Sequence, residues 1–179
     1  MTEKEEYAIA LDYLPYGYPL EGKNLPVIQA IGEKNFILLQ LVPRKDISIE
    51  PNEKLYIGEG KRDKVHYILG RLPREKLTEN AKIQLEEFIN ESVTKKENEF
   101  VVFFNKAEAI NTRIHQLELL PGFGKKHVQE ILEARKEKEF QSFEDLKNRI
   151  SGIPNPKKSV EKRIFKELTE MERYNLFVK

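Results

Sequence analysis

The sequence predicts an α+β protein in two parts, a β-rich barrel over residues 1–104 followed by an all-helical domain over residues 105–179. Three observations carry this. Short β-rich runs broken by Gly and Pro lie between Tyr7 and Leu72. Apolar residues at three- and four-residue spacing take over after Pro73. Two glycine-containing loops, each flanked by amphipathic segments, punctuate the last third. With 179 residues, 39% apolar and 34% charged, the chain is long enough for two modest cores and too apolar for disorder.

The β-rich runs are Tyr7–Leu14, Val27–Ile31, Phe36–Val42, Lys54–Ile57 and Val65–Leu69, separated by turn-rich stretches such as Pro15-Tyr16-Gly17-Tyr18-Pro19 and Gly58–Lys64. Leu77, Ala81, Leu85, Phe88 and Ile89 then share one helical face, with Thr78 as its N-cap. The apolar run Phe100–Phe104 reads as a last buried strand, which would place that helix between strands as a lid. Five or so strands at this spacing predict an OB-like barrel with one helix; split and SH3-like barrels stay open. A boundary falls near Asn105, where a helical stripe of Ala107, Ile110, Ile114 and Leu117 begins. Val128, Ile131 and Leu132 mark a second helix, Phe143, Leu146 and Ile150 a third, and Val160, Ile164, Phe165 and Leu168 a fourth.

The most informative segment is Leu119-Leu120-Pro121-Gly122-Phe123-Gly124-Lys125-Lys126-His127-Val128. Glycines one residue apart allow a tight turn and remove side chains that would block a phosphate. The helix starting after Gly124 points its unpaired amides and positive dipole end at the same place, and Lys125, Lys126 and His127 add donors. This pattern resembles the helix-hairpin-helix motif, which grips a sugar-phosphate backbone without reading sequence. The plainer alternative is a glycine loop that merely joins helices. A second, degraded copy follows at Ile150–Val160, where Gly152 keeps one glycine and Lys157 and Lys158 flank the next helix start. Together the copies predict a paired-hairpin domain, the second copy being as readily structural as binding.

Between them, Phe140-Gln141-Ser142-Phe143-Glu144-Asp145-Leu146 resembles an element of hairpin pairs in competence DNA-uptake proteins. Ser142 and Asp145 also make an N-cap with a capping-box-like acid. Lys126 with Glu144 or Asp145 mimics the spacing found in helix-hairpin-helix DNA glycosylases, and the cap is the plainer account of the acid. In the β-rich part, Lys61, Arg62 and Lys64 follow two glycines and form a candidate phosphate loop, with a hairpin turn carrying solvated charges as the alternative. Tyr13, Tyr16 and Tyr18 are candidates for base stacking or for loop packing.

Several classes are excluded or disfavoured. Without cysteine there is no disulfide framework, zinc ribbon or thiol nucleophile. His66, His115 and His127 lack ligand spacing, so no metal site and no cofactor are expected. Neither a nucleotide-binding glycine loop nor a catalytic triad or carboxylate pair stands out, so no enzymatic activity is expected. The polar, acidic N-terminus and the lack of a long apolar run predict a cytoplasmic protein with no membrane partner. Residues 106–179 hold 16 Lys/Arg against 12 Asp/Glu, and residues 1–105 hold 15 against 18, so the helical part is net positive although the chain is only +1.

From end to end the chain resembles the uncharacterised archaeal family called domain of unknown function 655. The resemblance runs through Leu11-Asp12-Tyr13-Leu14-Pro15, Gln29-Ala30-Ile31-Gly32, Tyr56–Lys64, Phe103-Phe104-Asn105-Lys106-Ala107-Glu108 and Thr112–Leu120 into the hairpin, and loosens after about Ser151. It implies an OB-like barrel joined to a helix-hairpin-helix unit and a nucleic-acid partner, RNA over DNA, with the ribosome as one setting. It supplies no catalytic residues. The expectation is therefore a non-enzymatic RNA-binding protein; the alternatives are a DNA repair or replication accessory and a protein-docking module with scaffold-only hairpins.

Overall fold

The computed structural model describes residues 4–22 and 24–179. It divides into two compact units, one running to Phe88 and including Glu167–Lys179, the other spanning Ile89–Lys166.

The first unit is built on an open, five-stranded antiparallel sheet in the order β4-β1-β2-β3-β5, with β1 Tyr7–Leu14, β2 Val27–Gly32, β3 Leu38–Pro43, β4 Lys54–Tyr56 and β5 Val65–Arg71. Register shifts at Ala10/Asp12 in β1 and at Gln40/Leu41 and Val42/Pro43 between β3 and β5 insert bulges that curl the sheet. Small and branched residues line its concave core: Ala8, Ala10, Ile28, Ala30, Leu41, Leu55 and Val65 are all buried.

Helix α1 (Glu79–Lys95) starts in this unit and is tied to the sheet by polar pins. Gln29 is fully buried; its Nε2 donates to the Lys76 carbonyl at 2.7 Å and its Oε1 accepts from Thr78 N at 3.1 Å. Thr78 caps the helix as the sequence predicts, its Oγ1 accepting from Ala81 N at 3.0 Å while donating to Asp12 Oδ2 at 2.5 Å. Breaking one such buried partnership costs about 1–3 kcal/mol. At the chain end the buried Glu167 carboxylate accepts from the amides of Leu176, Phe177 and Val178 at 2.9–3.1 Å and holds the tail.

Two expectations are corrected here. Phe100–Phe104 is not a strand but part of helix α2 (Glu97–Lys106), so all five strands precede α1 and no lid lies between them. A continuous apolar run does not distinguish a buried strand from a buried helix by periodicity. Phe100, Val101 and Phe104 are buried at helical spacing while Val102 stays 44% exposed. The second correction concerns Ala107–Leu117, which is not a helix. Ala107 N closes α2 on Phe103 O, and the Asn111 side chain then accepts from the amides of Arg113 and Ile114 at 2.8 and 2.9 Å. That side-chain turn competes with helix. A bridge between Ala109 and His115 and a single 3-10 turn, Gln116–Leu119, lead into the glycine loop.

The second unit continues through α3 (Lys125–Glu137), α4 (Phe143–Arg149) and α5 (Pro156–Thr169), α5 ending in the first unit. Phe104 is fully buried, with ring centroids 6.0 Å from Phe123 and 6.3 Å from Phe143. Asn105 exchanges two hydrogen bonds with the Phe140 backbone, at 2.9 and 2.8 Å. Both residues thus belong to the second unit. The compact units accordingly divide inside α1 rather than near Asn105.

Candidate nucleic-acid interface

Leu120-Pro121-Gly122-Phe123 forms a tight turn in which Phe123 N donates to Leu120 O at 3.1 Å. Pro121 fits the position where φ near −60° is needed, and Gly122, at φ +85°, fills the next, where a side chain is disfavoured. A Cβ at Gly122 would also lie 2.7 Å from Pro154 Cγ. Gly122 is therefore required by the turn and by contact with the second glycine loop. Gly124 differs. As N-cap of α3 it has φ −101° and ψ −178°, open to any residue, and a Cβ there would meet nothing within 4 Å. Between them Phe123 turns into the core, only 5% exposed.

The first helical bond of α3 is Val128 N to Gly124 O at 3.1 Å, so the amides of Lys125, Lys126 and His127 precede the ladder. Glycine has no side chain with which to cap them. The Lys125 and Lys126 side chains are exposed and make no ion pair among the described residues. Nδ1 of His127 accepts from Gly124 N at 3.5 Å, which orients the ring at the loop. The start of α3 thus offers oriented amides and a positive helix end, with two uncommitted lysines in its first turn and open space beside Gly124.

The second loop is brought beside the first, with Pro154 against Gly122 and Ser159 Oγ donating to Pro121 O at 2.8 Å. Its chemistry is otherwise spent. Asn155 caps α5 by accepting from Lys158 N at 3.2 Å, and Lys157 pairs with Glu161 at 2.5 Å. Of the two lysines at this helix start, only Lys158 stays exposed and unpaired among the described residues. Ser142 caps α4 by accepting from Asp145 N at 2.9 Å, while Asp145 accepts from Gln141 N at 3.0 Å and pairs with Arg149 at 3.4 Å.

Lys61, Arg62 and Lys64 lie in the first unit, in the segment between β4 and β5. Gly58 and Gly60 fold around the Tyr56 hydroxyl, which accepts from Gly60 N at 3.0 Å. Arg62 Nε donates to Gly58 O at 2.8 Å and Lys64 pairs with Glu53, which leaves Lys61 as the uncommitted cation of the three among the described residues. Of the tyrosines, Tyr13 and Tyr18 are held by Ile47 O and Gln40 Oε1, and Tyr16 is 78% exposed. Burial, partly offset by the Gln29 contact and Lys76, raises the Tyr18 hydroxyl above its ordinary range.

Reading 107–117 as helix hid one feature. Arg113, His115 and Lys125 line a hollow of about 230 Å³ beside the start of α3. His115 caps the 3-10 turn, its Nδ1 accepting from Leu117 N at 3.1 Å, and burial followed by the charge of Arg135 lowers its pKa below the ordinary 6.5. Among the described residues no group of three or more His, Asp or Glu is placed to hold a metal ion, and no helix is long and apolar enough to cross a membrane.

Comparison with known proteins adds family but no activity. The chain is 44% identical over 177 residues to an uncharacterised protein of Methanocaldococcus jannaschii, covering 98% of this chain and 80% of that protein. A crystal structure from Archaeoglobus fulgidus superposes with a TM-score of 0.83 at 42% identity, covering 98% of this chain and 100% of that one. The family model described as protein of unknown function (DUF655) matches residues 4–179, and the chain belongs to that family.

Proposed function

We propose that this protein is a non-enzymatic nucleic-acid-binding protein that grips a phosphate backbone, without sequence readout, through a helix-hairpin-helix-type loop at Gly122–His127. The observation behind this is the start of α3: amides ahead of the helical ladder, an N-cap glycine opening onto free space, and two uncommitted lysines. The neighbouring loop supports a paired-hairpin arrangement in which the second copy is scaffold, since Asn155 and Glu161 occupy its helix end and Lys157. Strand number and bulged curl support an OB-like reading of the sheet, as an open barrel whose edge strands β4 and β5 are not paired with each other. Of the two acids at glycosylase-like spacing from Lys126, Glu144 and Asp145, the latter is taken up by Gln141 N and Arg149, which argues against such chemistry at Asp145.

RNA is the proposed backbone, on the family resemblance alone, and a cytoplasmic, ribosome-associated setting goes with it. The deciding experiment is copurification from cells with and without nuclease treatment, followed by sequencing of bound strands. Recovery of structured RNA supports the reading. Recovery of DNA turns it towards a repair or replication accessory, and nuclease-insensitive protein partners turn it towards a docking module.

A further inference from the structure

The first unit contains a groove of about 710 Å³ on one side of the curled sheet, within the range of small-molecule sites. Ile37 and Leu39 from the β3 side, Ile57 beyond β4 and Ile68 on β5 give it aliphatic lining; Arg62 and Arg71 also line it. Gly58 and Gly60, folded against Tyr56, contribute bare backbone on either side of Glu59.

Charge selects the occupant. Arg62 uses its Nε on Gly58 O, leaving its terminal nitrogens for another acceptor, and the Arg71 side chain makes no hydrogen bond or ion pair among the described residues. The acids around the groove are mostly engaged. Glu5 accepts from the amides of Lys34 and Asn35 at 2.9 and 2.5 Å, and Glu59 pairs with Lys4 at 3.3 Å. Among the described residues, Glu6 is the one uncommitted carboxylate in the lining. An apolar lining with two guanidinium groups matches a flat, weakly polar body bearing an anionic oxygen cluster, which planar guanidinium groups bind in fork geometry.

We propose that this groove takes an unpaired nucleotide of a single-stranded stretch, the base against Ile37 and Ile68 and the adjoining phosphate at Arg62 and Arg71. A base inside a duplex is stacked and paired and does not reach such a slot without being extruded. The groove is thus a single-strand site, distinct in chemistry from the hairpin's grip on backbone phosphates, and it rests on the nucleic-acid reading above.

The test is fluorescence anisotropy on the full chain with labelled oligouridylate and oligoadenylate, their DNA counterparts, and a duplex RNA. Arg71→Gln and Ile68→Glu change partly exposed side chains, and circular dichroism checks folding. Arg71→Gln is expected to weaken single-strand binding about tenfold, the scale of one charge-assisted hydrogen bond, and Ile68→Glu to weaken it by setting a carboxylate where the base would rest, while duplex affinity holds. Glu6→Gln is expected to tighten single-strand binding, a gain that a misfolded variant would not give. The RNA and DNA arms show which sugar the groove accepts. Failure of wild-type protein to bind any single strand overturns the proposal. So does single-strand affinity that survives both groove substitutions and falls only when Lys125 and Lys126 are neutralised. The duplex arm reports on the hairpin separately, so either site can fail without the other.

Discussion

The two glycines of the first loop are expected to respond in opposite ways. Gly124→Asp places a carboxylate at the N-cap of α3, where φ −101° tolerates it and a Cβ meets nothing within 4 Å. Its oxygens would accept from the first-turn amides, a gain of a few tenths of a kcal/mol over glycine, with about 0.3–1 kcal/mol more from the helix dipole. The same carboxylate takes the donors that the proposed phosphate contact would use. Losing one hydrogen bond to a charged group costs about 1.5–3 kcal/mol, so affinity for duplex RNA should fall by about 10–100-fold, and the log–log salt slope should flatten by about one unit. Gly122→Ala should do the reverse to stability. Left-handed φ costs an alanine about 1–2 kcal/mol, and its Cβ would lie 2.7 Å from Pro154 Cγ, adding about 1–3 kcal/mol of overpacking. Urea unfolding followed by circular dichroism, and anisotropy titrations over a salt series, read both quantities. A folded Gly124→Asp protein that binds with wild-type affinity and slope would refute the reasoning.

Neutralising Lys125 and Lys126 together should flatten the salt slope by roughly one to two units for any sequence tested, whereas Lys157→Ala should leave it unchanged and cost only about 0.3–0.5 kcal/mol of stability, its i,i+4 partner being Glu161. Phe104→Ala should destabilise the second unit by about 3–5 kcal/mol in urea titrations, because the ring is fully buried between Phe123 and Phe143. For the same reason a fragment beginning at Asn105 should show no cooperative unfolding transition. His115 has a folded pKa below its ordinary 6.5, so the unfolded chain binds the extra proton first. Stability should therefore hold above that ordinary value and decline as pH falls from it towards the folded pKa, and His115→Gln should flatten this part of a stability–pH profile.

Where local chemistry and tertiary context agree, the sequence was enough. The mostly apolar β1, β2 and β3 and the Thr78 and Ser142 caps follow from spacing and residue type. Phe100–Phe104 misled because five apolar residues in a row carry no period, and its helix is decided by Phe104 meeting Phe123 and Phe143, distant in sequence. Ile110 and Ile114 fall at helical spacing, yet the Asn111 side chain satisfies two amides locally and ends the helix before it forms. At the site, the signature Pro-Gly-Phe-Gly was legible but the division of labour was not. Gly122 is needed for its backbone angle and for Pro154, which only the fold brings near. The commitments of Lys64 to Glu53 and Arg62 to Gly58 are likewise settled by chain geometry rather than by charge pattern.

The unequal capping of α3 and α5 has a consequence in time. An amide with no acceptor exchanges its hydrogen with water at close to the rate of an unstructured chain, while one bonded to a side chain must first open. In the free protein the amides of Lys125, Lys126 and His127 should therefore exchange early, and that of Lys158, held by Asn155, later. A bound phosphate would act as the cap that Gly124 does not provide. It would slow those three amides and leave Lys158 as it was, so hydrogen exchange becomes a residue-by-residue clock for occupancy of the loop.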